Sequence, residues 1–301
     1  LGLLERRRDD YGETVRTRFA EAVYGEHPYR RIREGNRDAI ARIGGDDLVG
    51  FHDRWYRPRG SILAVVGDVD PASMTHEVEE RFGGWGEAGG PGEPLVPEPT
   101  DGAGRRVVEI QESVSQAYVR VGNLGIPRDH PDFAAVVLTN YLLGGGGFGS
   151  RLMTRLREER GLTYGAYSGF VVRRRRGSFS AGFQTGIETM NPALEEMLNV
   201  IERFVDEGGT EEEIERAKRF LTGSLPLTLE TNDQIAQKLI EEEFFGLPDR
   251  FWLRDLEEIR GVGPDRVRET ARRHIRPESF AIVVLADFTR TALRVPGFEE
   301  G

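Results

Sequence analysis

A stretch near the start of the chain returns near its end. Ile43-Gly44-Gly45-Asp46-Asp47-Leu48 is matched by Val262-Gly263-Pro264-Asp265-Arg266-Val267. At the same offset of 219 residues Arg57-Pro58 falls on Arg276-Pro277, Ile62–Val66 on Ala281–Leu285, and Asp68 on Asp287. The match needs no gap, so one helix, turn and strand unit recurs at a domain-sized period, and the expectation is a duplicated fold. With the second copy starting near Arg105, the first would start about 114 residues ahead of Leu1. The chain is then expected to hold only the latter part of its first domain.

The segment between the copies fits this division. Residues 84–104 are rich in glycine and proline and lack hydrophobic periodicity, as a linker does. The expected layout is residues 1–83 as the C-terminal part of a first domain, 84–104 as linker and 105–298 as a second domain. In the first part, Val15, Phe19, Ala22 and Val23 recur at helical spacing, and Gly25 stops the run. Helices are expected over Asp46–Tyr56 and, with Asp70 as cap and Pro71 at the first position, through Phe82. Ile62–Val66 reads as an apolar strand.

In the second part, strands are expected at Val107–Ile110, Gln116–Gly122, Tyr164–Val172, Ser178–Gln184 and Phe280–Leu285. Along Gln116–Gly122, Ala117, Val119 and Val121 alternate with Gln116, Tyr118 and Arg120, the pattern of a half-buried sheet. Helices are expected over Pro131–Leu143, up to Arg157, from Asn191 to Val205, after the Thr210/Glu213 capping box, and over Asp233–Phe245 and Pro264–His274. The fold class is α+β.

A formal net charge of −10 argues against nucleic-acid binding, whose affinity comes largely from phosphate neutralisation. The basic run Arg173–Arg176 lies between two strands and reads as a solvated hairpin tip. No apolar run approaches the roughly 20 residues of a membrane span. Gly144–Gly149 fits G-x-G-x-x-G, but it follows a helix rather than a strand, so a dinucleotide site is not expected there.

Several motifs together carry a family resemblance. His27-Pro28-Tyr29, Leu48–His52, Trp55-Tyr56-Arg57-Pro58 and Val65–Asp70 in the first part resemble the insulinase/pitrilysin metallopeptidases, which include the mitochondrial processing peptidases. So do Ser150-Arg151-Leu152 and Leu156–Tyr164 in the second. The resemblance implies two similar domains per half, each an antiparallel-rich sheet with helices on one face, and two halves closing around a peptide.

In that family zinc is held by an inverted H-x-x-E-H helix and a distal glutamate. None of the five histidines here forms that motif, so the chain alone is expected to be inactive, with no catalytic residue of its own. Zinc would enter only with an H-x-x-E-H segment or partner subunit, in a homo- or heterodimer. By resemblance, Glu5 stands where the distal zinc glutamate falls. Arg157 and Tyr164, seven residues apart, match the arginine and tyrosine that the family turns toward its peptide substrate. A phenol and a guanidinium suit that role, because water attack on a peptide carbonyl builds negative charge on oxygen. A non-catalytic, peptide-binding scaffold is the alternative.

Overall fold

The computed structural model describes residues 10–85, 95–102 and 104–297. In chain order it holds α1 (Tyr11–Tyr24), α2 (Arg37–Arg42), α3 (Gly45–Trp55), α4 (Pro71–Phe82), β1 (Arg106–Gln111), β2 (Gln116–Leu124), α5 (Phe133–Asn140) and the single turn α6 (Arg151–Met153). There follow β3 (Ala166–Val171), β4 (Ser178–Gly186), α7 (Met190–Glu207), α8 (Glu211–Gly223), α9 (Asn232–Phe245), α10 (Phe251–Gly261), α11 (Pro264–His274) and β5 (Ala281–Ala286). By spatial contact the chain forms two units, one from residues 1–34, 97–222 and 252–301, the other from 35–96 and 223–251.

The first unit is built on a five-stranded sheet in the order β1-β5-β2-β4-β3. β1 runs parallel to β5 and the remaining neighbours are antiparallel. All six residues of β5 are buried, as an interior strand requires. On one face Val119, Val121, Phe179, Phe183, Ile282 and Val284 share a core with Leu138, Leu194, Met197, Ile201, Phe204, Val267 and Ala271 of α5, α7 and α11. The expected face of helices is therefore present.

The other face is covered by α1. Asp10 caps this helix, its Oδ1 accepting from the Glu13 N–H at 2.9 Å, and Gly25 ends it at φ +55°. Val15, Phe19 and Val23, four apart, form one stripe that packs with Leu124, Ala281, Val283 and Leu285. Burying such side chains contributes about 1.5–3 kcal/mol each.

The second unit holds α2, α3, α4 and α9. Ile62–Val66 forms no strand among the described residues, with Leu63 60% exposed, whereas its counterpart β5 is a fully buried strand. The difference is physical. β5 is held between β1 and β2, whereas Ile62–Val66 has no strand neighbour among the described residues. The offset also relates the parts of the two units: 223–251, moved back by 219, falls on 4–32, the stretch the other unit takes. No described helix is long and apolar enough to cross a membrane.

Candidate functional site

Strand alternation sends Ala117, Val119 and Val121 into the core and leaves Gln116, Tyr118 and Arg120 on the α1 face of β2. Register then assembles a polar row. Arg120 and Tyr167 both pair with Gly182, on its two sides. A Cβ at position 182 would lie 2.7 Å from the Val119 carbonyl oxygen and 3.6 Å from the Tyr167 hydroxyl, so only glycine leaves this row open. Across it the Arg120 Nη2 donates to the Tyr167 hydroxyl at 3.2 Å, and Nη1 donates to Ser180 Oγ at 2.9 Å. Beside it the Gln184 amide donates to Gln116 Oε1 at 2.5 Å and to the Tyr118 hydroxyl at 3.0 Å. Gln116, Tyr118, Arg120, Tyr167 and Gln184, with the start of α1, line an open cavity of about 720 Å³.

Tyr164 sits at its mouth. Thr163 Oγ1 donates to the Gln184 carbonyl at 2.6 Å and accepts from the Gly165 N–H, which fixes the loop, yet the Tyr164 side chain is 89% exposed. Its hydroxyl has no hydrogen-bond partner among the described residues. Arg157 lies on the π-helical turn Thr154–Glu159 and stacks its guanidinium 4.6 Å from the centre of the exposed Phe148 ring. No hydrogen bond joins Arg157 to Tyr164, and Arg157 does not line the cavity. Glu5 lies outside the described residues.

The glycine loop follows α5 and a π-helical turn, Tyr141–Gly145. Gly144 lies against β3, where a Cβ would come within 2.4 Å of the Ser168 nitrogen; close packing explains that glycine without a phosphate. His27 and Tyr29 are packed together with ring centres 4.6 Å apart, and His27 Nε2 lies 2.9 Å from the Pro97 carbonyl oxygen.

A second cluster was not singled out in the sequence. His130, Asp132 and His274 bring potential ligand atoms within 4.8 Å of one another. Asp132 is already saturated. Its Oδ1 accepts from Arg266 at 2.5 Å, and its Oδ2 accepts from Arg273 at 2.8 Å and lies 2.6 Å from His274 Nε2. Burial acts to raise the Asp132 pKa, but the hydrogen bonds from His274 and Arg273 and the charge of Arg266 outweigh it and hold the carboxyl at about 2. Burial lowers the His274 pKa despite the carboxylate. Two arginines on one carboxylate leave the cluster positive, which does not fit zinc.

Comparison with known proteins agrees with the motifs. A family described as "Peptidase M16 inactive domain" matches residues 42–221. A Streptomyces coelicolor protein named an uncharacterized zinc protease is 30% identical over 276 residues, covering 88% of this chain and 58% of its own length. A Helicobacter pylori protein named a non-peptidase homolog is 25% identical over 94% of this chain and 65% of its own length. The chain thus spans about three-fifths of these relatives. The crystal structure of a peptidase M16 inactive domain from Pseudomonas fluorescens superposes with TM-score 0.87 at 30% identity, covering 95% of this chain and 67% of that one. With the profile matched over more than half of its length, the chain belongs to the M16 peptidase family, the insulinase/pitrilysin-type metallopeptidases.

Proposed function

We propose that this chain is the substrate-binding part of a zinc-dependent endopeptidase, hydrolysing peptide bonds only together with an H-x-x-E-H segment or partner subunit. Residues 105–298 act as its second peptidase-like domain and 1–83 as the latter part of its first. The observation that carries this reading is the exposed phenol of Tyr164, without a hydrogen-bond partner among the described residues, at the mouth of an open cavity beside the edge strand β3. An extended peptide along this edge presents its carbonyls to Tyr164, and recognition through the main chain gives weak sequence preference. Arg157 supports the approach from the adjoining turn, and zinc, with Glu5 as distal ligand, belongs with the absent segment.

A non-catalytic scaffold is the second reading, favoured by the name of the Helicobacter pylori relative. The test is zinc content and peptidase activity of the chain alone and mixed with an H-x-x-E-H-bearing segment or subunit. Activity only on mixing, reduced about a hundredfold in Tyr164→Phe, supports the first reading. No activity in any mixture supports the scaffold.

A further inference from the structure

Several buried or half-buried arginines in the first unit are matched to carboxylates. Arg105 reaches Glu202 at 2.7 Å, Arg128 Asp255 at 2.8 Å, Arg151 Glu213 at 2.9 Å and Arg176 Asp101 at 2.9 Å. Arg120 departs from this pattern. Its hydrogen-bond partners are two neutral hydroxyls, Ser180 and Tyr167, and it rests against the rings of Phe19 and Tyr167 at 6.0 and 5.8 Å. No carboxylate lies within ion-pair distance of it among the described residues. The nearby acids have other partners: Glu13 is paired with Arg16 at 2.6 Å, and Asp10 caps α1. Two of the five N–H donors of the guanidinium are used, and the group faces a cavity of about 720 Å³, inside the usual range for ligand sites.

We propose that Arg120, aligned by Tyr167 across Gly182, is a carboxylate-recognition point in this cavity, and that the peptides bound here are those offering a carboxylate to it. The inference rests on the peptide-binding reading and adds the chemistry of the ligand. Burial already lowers the Arg120 pKa, a cost that an incoming anion offsets. Planar guanidinium and carboxylate meet through two parallel hydrogen bonds, which a neutral amide cannot reproduce. The carboxylate has two sources, an aspartate or glutamate side chain or the C-terminus of the peptide.

The experiment uses the whole chain and three fluorescein-labelled ten-residue peptides of one sequence. The first has a central Glu and an amidated end, the second Gln and an amidated end, the third Gln and a free carboxyl end. Anisotropy titration is expected to show the first or the third bound about tenfold or more tighter than the second, and which of the two wins identifies the source. That preference should collapse in Arg120→Gln and survive in part in Arg120→Lys, with thermal unfolding of both variants confirming that they fold. Equal affinities for all three peptides would overturn the carboxylate point and leave peptide binding standing. A preference that persists in folded Arg120→Gln would overturn the role of Arg120, and failure of every peptide to bind would overturn both readings.

Discussion

Replacing Asp132 by Asn removes the charge at the centre of the Arg266, Arg273 and His274 cluster while keeping its shape. A carboxyl drawn from 3.8 to about 2 represents roughly 2.5 kcal/mol of native-state stabilisation. Arg266 and Arg273 are 38% and 48% exposed and each keeps Glu269 as a second partner, so solvent screening reduces this to about 1–2 kcal/mol. For a chain of this size the expected fall in Tm is roughly 2–8 °C. The sign with pH follows from a depressed folded-state pKa: the contribution is complete above the unfolded value of 3.8 and is lost as pH falls toward 2. Urea unfolding of wild type and Asp132→Asn should therefore differ at pH 7 and at pH 5, by roughly half the full carboxylate contribution at pH 3, and converge near pH 2. Added zinc should leave the wild-type midpoint unchanged. Equal stability of the two proteins at pH 7, a difference that persists in full at pH 2, or stabilisation by zinc would refute the account.

Two further outcomes test the fold and the site. Phe19→Ala empties the middle of the α1 stripe, where the ring is 4% exposed, and should cost about 3–5 kcal/mol by chemical denaturation. Tyr164→Phe removes a hydroxyl with no hydrogen-bond partner among the described residues and should leave stability within about 0.5 kcal/mol, so any loss of peptide cleavage in it is functional.

The repeat and the apolar periodicities were enough to read most elements, because both are properties of local sequence. What they left out depends on register and on neighbours. Arg120 was visible only as one of the polar residues alternating along β2; that it meets Tyr167 over Gly182 is set by two strand pairings that no local pattern encodes. The same holds for Asp132, Arg266, Arg273 and His274, which lie on α11 or at the start of α5 and meet only when those helices pack. Ile62–Val66 was read as a strand from composition, but a strand exists only with a partner. Helical spacing identified α1 and said nothing about which sheet it covers. The π-helical turns that carry Arg157 and Gly144 break the 3.6-residue period, and periodicity cannot announce them.

An interior strand of the sheet, β5, is also its last in sequence. β1 and β2 each pair with β5, and the stripe of α1 rests on Val283 and Leu285, some 260 residues after Phe19. At a synthesis rate of about 5–20 residues per second, the apolar stripe of α1 waits roughly 13–50 s for the strand that covers it. Over that interval the nascent chain exposes an amphipathic helix and two strands without their middle neighbour. Production of this domain is therefore sensitive to translation speed and to holdase chaperones, well before any question of peptide or zinc arises.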